Sequence, residues 1–229
     1  MMAAVPTTMA SAAVWTRKAG GNDAIPLLNT LISNGFCFLT IPMWLGLMLA
    51  QTVEFDPVAL IIRLAIVAVL PMTLAQLLRQ LPPIRSFANA HRQGIGTAAQ
   101  LGILTIIAVS ALKTGPLLET HQEGVSTFNL LLIALMCLVI HGAGLYFGWI
   151  LGKLCRQPLP DRIGIAFSGS QKTLPLAVEL ATSPVLLASG LSPLIILPPL
   201  IFHAMQLMMD TYMIAKFSQI CSDEGVPPA

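Results

Sequence analysis

Charge is what this sequence lacks. Asp, Glu, Lys and Arg make up 10% of its residues, whereas a soluble domain carries roughly 25%. A chain so poor in charge has too little polar surface to fold in water. The net charge of +2 and the scatter of the basic residues leave no patch for nucleic acid or for an acidic partner. Cysteine offers no chemistry either. Cys37, Cys137, Cys155 and Cys221 lie far apart without CxxC spacing and give no sign of a disulfide framework or metal site. Three of them stand in or beside apolar runs, where cysteine behaves as a small hydrophobe. Residues 1–16 also lack the basic start and continuous apolar stretch of a signal peptide.

What the chain has instead is length without polarity. Hydrophobic residues are 55% of the total and the mean hydropathy is +0.80. A bilayer core asks for about 20 apolar residues per helix. Five runs meet or approach that, at about 27–51, 57–80, 95–114, 125–152 and 191–218. A sixth, 162–186, is apolar at both ends and interrupted by Ser168-Gly169-Ser170-Gln171-Lys172-Thr173. A half-length seventh opens the chain, from Met1 to about Trp15, and carries Pro6-Thr7-Thr8. These runs predict an all-α, polytopic membrane protein.

The loops support that reading through the positive-inside rule. One set holds Arg17, Lys18, Arg79, Arg85, Arg92, Lys153, Arg156, Arg162 and Lys216. The alternate set holds Glu54, Asp56, Lys113, Glu119 and Glu123, and the uncharged stretch Leu186–Ser192. Of the twelve basic residues, only Arg63 and Lys172 fall within spans. The alternation predicts a cytoplasmic C-terminus and a full crossing by 162–186.

Lipid tolerates irregular backbone only where protein or water surrounds it. Segment 168–173 is small, polar and followed by Pro175, which removes a donor and disfavours helix at Leu174. It predicts an unwound stretch between two half-helices, or else a simple kink whose hydroxyls bond their own backbone. The run Val5–Ser11 has the same character. The two lie in units of opposite orientation, one entering the Arg17-Lys18 loop and one leaving the Arg162 loop. Paired broken helices in inverted units point to a secondary transporter's site, where half-helix ends meet ions and solute.

Two runs carry a family resemblance. Gly164–Val178, with Phe167-Ser168-Gly169-Ser170-Gln171-Lys172-Thr173 at its centre, resembles the ninth segment of the bile acid:sodium symporter superfamily. It is closest to the SBF-like branch. Val5–Ala24 resembles the fourth segment and its following turn. The resemblance covers essentially the whole chain, as segments four to ten. It implies part of a ten-helix inverted-repeat transporter whose two broken helices cross at the binding centre. Residues 1–51 would then end the first repeat, and residues 52–229 would form the second. Segments one to three are missing, so the chain resembles an N-terminally truncated or mis-started copy. A partner chain supplying those helices is the alternative. Family distribution implies a bacterial inner membrane.

The resemblance also implies residue roles. Ser11 and Thr30 would serve one sodium site and Gln171 a second, with Ser168, Gly169 and Ser170 supplying oxygens beside it. Thr7, Thr8, Lys172 and Thr173 complete the solute- and ion-binding set, and no other cofactor is implied. Sodium-coupled members place a glutamate four residues before the glutamine. Here that position is Phe167, and Lys172 follows Gln171, so a fixed ammonium could replace a bound cation.

Ionisable residues inside spans are functional hypotheses. Lys172 is a candidate counter-charge to an organic anion, or a coupling group. Glu179, seven residues on, would share its face or sit in water at the outer end. Arg63 is read as snorkelling. His141 is read as a helix-packing hydrogen-bond donor. His203 and Asp210 share a face at seven-residue spacing. The leading function is secondary transport of an organic anion or similar small solute across the bilayer, with sodium as a possible coupling ion. A non-transporting or incomplete membrane subunit is the alternative. An intramembrane hydrolase using Ser168 and Lys172, four apart, is a third.

Overall fold

The computed structural model describes residues 2–8, 11–49, 56–120, 126–188 and 192–225. Glu54 and Glu123 of the loop alternation lie outside them. The described residues fold into helices throughout. In chain order these are α1 (Ser11–Lys18), α2 (Ala24–Gly35), α3 (Cys37–Leu49), α4 (Pro57–Leu64), α5 (Leu70–Leu78), α6 (Pro82–Ala90) and α7 (Arg92–Thr120). Then follow α8 (Thr127–Leu154), α9 (Leu159–Ser170), α10 (Leu174–Ala181), α11 (Pro184–Leu187) and α12 (Leu197–Asp223). Short 3₁₀ turns stand at Met2–Ala4 and Pro193–Ile196.

Local chemistry explains the ends. Asp56 caps α4, its carboxylate accepting from the amides of Val58 (2.8 Å) and Ala59 (3.1 Å), with Pro57 pre-set for the first turn. Ser126 caps α8 through the amide of Asn129 (3.1 Å). Between α4 and α5 the backbone widens into a π-turn, Ala65–Val69. Pro71 follows and cannot donate to the turn before it. The π-turn absorbs that fault, and Pro57–Leu78 runs on as one span.

Among the described residues three helices are long and apolar enough to cross a membrane: Pro57–Leu78, Thr127–Leu154 and Leu194–Asp223. A fourth is reached if the bent pair Ala24–Gly35 and Cys37–Met48 counts as one span. That pair corrects the expectation of a continuous helix over 27–51. The chain turns by 68° at Phe36, just after Gly35, which weakens a helix interior. The run 95–114 lies inside α7. Large apolar side chains face outward, among them Leu154 (74% exposed), Phe128 (72%) and Phe147 (68%).

In lipid, helices gain little by hiding apolar surface from one another, and close packing holds them instead. Gly144, Gly148 and Gly152 bring α8 against α9. A Cβ on Gly148 would stand 2.8 Å from Ala166 Cα and 2.9 Å from Ile165 O, and one on Gly144 would stand 2.9 Å from Ser170 Cα. Two apolar clusters result. One joins α3, α4, α10 and α12 through Ile41, Leu60, Leu64, Leu180 and Phe202. The other joins α8, α9 and α12 through Leu145, Ile163, Phe167 and Phe217. The chain ends are tied together. Ser218 on α12 donates to Lys18 O (3.3 Å), and the Cys221 thiol reaches Ala19 O (3.6 Å).

Gly148→Leu is expected to force backbone apart and to destabilise the protein by about 1–3 kcal/mol. Gly169→Ala, whose nearest neighbour would be 3.8 Å away, should change little. Thermal melts of the two variants in detergent check the ranking.

Candidate functional site

The two predicted breaks meet. Gln171 leaves α9 with extended backbone (φ −74°, ψ 141°), and Thr173, also extended (φ −79°, ψ 123°), leads into α10. Pro175 stands in the first turn of α10, where its missing N–H would have had no partner. The break is three residues, Gln171 to Thr173, rather than the six expected. Ser168, Gly169 and Ser170 finish α9 as helix. Their hydroxyls turn back on their own turn, Ser168 to Ile165 O (3.3 Å) and Ser170 to Phe167 O (3.1 Å). Ser168 and Ser170 therefore offer carbonyl oxygens to the crossing, not hydroxyls.

Opposite lies the stretch Val5–Thr8, between the first 3₁₀ turn and α1. Its open backbone is matched to that of the second break. Thr173 N donates to Pro6 O (3.0 Å), and the Thr7 hydroxyl donates to Ser168 O (2.7 Å). The hydroxyls of Thr8 and Ser11 both reach Gln171 Oε1, at 2.9 and 2.8 Å, and stand 2.5 Å from each other. Thr8 Oγ1 also accepts from Ala12 N (3.2 Å), capping α1. Thr30 Oγ1 donates to Thr8 O (2.9 Å). The predicted residues on the two breaks are thus brought together across some 160 positions of sequence, with Thr30 one bond behind.

Three amides missed by the sequence reading add to the bonding, Asn34 and Gln206 buried and Asn29 half-buried. Asn29 donates to Thr7 Oγ1 and Ser168 O, both at 3.1 Å. Asn34 donates to Thr7 O (3.0 Å) and Thr30 O (2.9 Å). Gln206 on α12 accepts from Lys172 N (2.8 Å) and donates to Lys172 O (3.5 Å). Their signal was present. An amide within a long apolar run must find a partner inside the protein.

Asp210 pairs with a different histidine from the one its own helix suggested. Its Oδ1 lies 2.9 Å from His141 Nε2, and its Oδ2 accepts from Gln171 Nε2 at 2.7 Å. His141 Nδ1 faces Ser170 O at 3.2 Å. Asp210, His141 and Gln171 are all buried. Arg63 and Glu179 are likewise corrected. They pair with each other between α4 and α10, at 2.9 and 2.5 Å, so Arg63 does not simply snorkel and Glu179 does not simply face water. The Ser168–Lys172 geometry that a hydrolase would need is lost, because the helix ends between them.

Thr8 Oγ1, Ser11 Oγ and Gln171 Oε1 form a cluster of neutral oxygens, the ligand type that hard cations take. Ser11 and Gln171, expected at two separate sodium sites, meet here in one cluster with Thr8, while Thr30 donates to Thr8 O and stays outside it. Phe167 adds no carboxylate there. Its ring is fully buried against Phe217. Beside the crossing a cleft of about 630 Å³ is lined by Ile25, Asn29, Gly144, Phe147, Ser168 and Gly169, among others.

Asn34→Leu strips Thr7 O and Thr30 O of their amide donor and is expected to cost about 1–3 kcal/mol. Thr7→Val should cost less, since Asn29 still donates to Ser168 O. Unfolding midpoints in detergent give the order.

The sequence has relatives among known proteins. The chain is 24% identical to the "Probable sodium/metabolite cotransporter BASS4, chloroplastic" of Arabidopsis thaliana, over 92% of this chain and 49% of that protein. It is 21% identical to "Sodium/bile acid cotransporter 7-A" of Xenopus laevis and to "Sodium/bile acid cotransporter 7" of Rattus norvegicus. Each match covers 92% of this chain, with 60% and 61% of those proteins. The chain therefore spans about half to two thirds of the length of these curated relatives. Residues 1–219 match the SBF-like CPA transporter family. Two broken helices bonded to each other inside an apolar bundle, together with that match, make the chain an integral membrane protein that belongs to the SBF-like CPA transporter family.

Proposed function

We propose that the chain works as a secondary transporter for an organic anion or similar small solute, with sodium as a co-transported substrate. One observation carries this reading: the two helix breaks bond to one another through Thr173 N and Pro6 O. A break satisfied by another break can exchange partners as helices move, which a continuous helix cannot do. Broken helices with their ends at one centre are the usual seat of solute and ion in such carriers.

The anion preference rests on Lys172 and the positive end of α10 beside it. The cleft next to Ser168 has a volume in the usual range for small-molecule sites and would take a solute's apolar part. Sodium, when carried, would be held by Thr8, Ser11 and Gln171, and its gradient would supply the driving force. The repeats would be residues 1–51 and 52–229, and the basic loops favour a cytoplasmic C-terminus in a bacterial inner membrane. An intact mass of the native protein roughly 10 kDa above the 24.4 kDa of these 229 residues would match three further helices of about 20 residues with their loops.

The purified protein in vesicles is expected to exchange a labelled organic anion from a panel of carboxylates and sulfonates. Lys172→Gln should lower that exchange about tenfold, the factor that goes with roughly 1.4 kcal/mol. Counterflow rates check both. Unchanged exchange in Lys172→Gln would remove lysine from the proposed site, and no exchange of any anion would sink the transport reading.

A further inference from the structure

An amide side chain has an oxygen end and a nitrogen end of nearly equal size, and its surroundings decide which way it points. Gln171 stands at the crossing with one end toward the Thr8 and Ser11 hydroxyls and the other toward Asp210. Which end faces the hydroxyls decides what the crossing can bind. An oxygen there completes a set of three that suits a cation. An NH₂ there would repel a cation and suit an anion.

We infer that Asp210, backed by His141, is the positioning residue that fixes the Gln171 amide with its oxygen toward Thr8 and Ser11, and so makes the crossing a monovalent-cation site. The inference deepens the transport reading and rests on it for the cation's role. Ser170 O can only accept, so His141 Nδ1 carries the hydrogen of that 3.2 Å bond. One further hydrogen, held between His141 Nε2 and Asp210 Oδ1, closes the 2.9 Å contact between them and leaves Oδ2 to accept from Gln171. Oδ2 meets Gln171 Nε2 at 2.7 Å. Were the amide reversed, two oxygens would face each other at that distance in a fully buried place, with the desolvation cost of two unpaired acceptors. The hydroxyls do not fix the amide, because each can donate or accept. Among the described residues, Asp210 is therefore the group that breaks the symmetry. It comes from α12, outside both breaks, and ties the third element to the crossing.

The test uses the purified full chain in detergent, melted in sodium chloride against choline chloride at equal ionic strength. Wild type should show a saturable, sodium-specific rise in the melting temperature. Asp210→Asn should keep it, since Asn can donate to His141 Nε2 while its oxygen still accepts from Gln171. Asp210→Leu should raise the sodium midpoint at least tenfold. Adding Gln171→Glu to Asp210→Leu should restore it, because a carboxylate presents an oxygen whichever way it turns. Should Asp210→Leu not fold, Asp210→Ser, too short to reach the amide, takes its place. A sodium midpoint that Asp210→Leu or Asp210→Ser leaves unchanged overturns the inference. So does an Asp210→Asn as impaired as Asp210→Leu, or a wild type without a sodium-specific rise. Solute counterflow on the same variants separates the two readings. Sodium binding in this order without any solute exchange would leave the inference standing and remove the transport function.

Discussion

No backbone amide or carbonyl can be left bare in lipid, and the structure around the crossing follows from that constraint. Two segments, Val5–Thr8 and Gln171 to Thr173, give up their helical bonds. Neither could persist alone. Each supplies part of what the other lacks, through Thr173 N with Pro6 O and Thr7 with Ser168 O. The amides of Asn29, Asn34 and Gln206 meet more of the need. The glycines of α8 let α9 approach closely enough for the second break to sit where it does.

The fold was largely legible because lipid makes composition decisive. Run length and loop charge located α4 with α5, α8 and α12, and Pro6 and Pro175 marked both breaks. Two details were not legible. The bend at Phe36 falls inside a long apolar run, and its only local marks, Asn34-Gly35, form a turn dipeptide that the length of the run outweighed. The length of the second break also misled. Ser168 and Ser170 look like unwinding residues, yet a hydroxyl can bond back to its own turn and leave the helix whole.

The site was legible in its breaks and hidden in its support. Gln171, Ser11 and Thr8 announce themselves by lying beside prolines among small polar residues. Asp210 and His141 do not, because their partnership crosses from α8 to α12 and no sequence spacing encodes it. Seven-residue spacing suggested His203 for Asp210, but a shared helical face only makes two residues neighbours on a surface. Pairing depends on which neighbouring helix offers a matching group, as Arg63 does for Glu179. The placement of Phe167 in the apolar cluster likewise shows which way its side of α9 turns, which the sequence alone left open.

The tie of Thr8 to Gln171, and of Gln171 to Asp210 on α12, sets an order of assembly. Thr8 leaves the ribosome about 200 residues before Asp210 does. At roughly 5–20 residues per second, that is a wait of about 10–40 seconds. For most of that interval the first break lacks its partner Gln171–Thr173, and for all of it the α12 groups behind. A segment with open amides cannot rest in hydrocarbon meanwhile, so the insertion machinery or the water at the membrane surface has to hold it. The crossing therefore cannot close until α12 has been made, although Thr8 is made about 200 residues earlier.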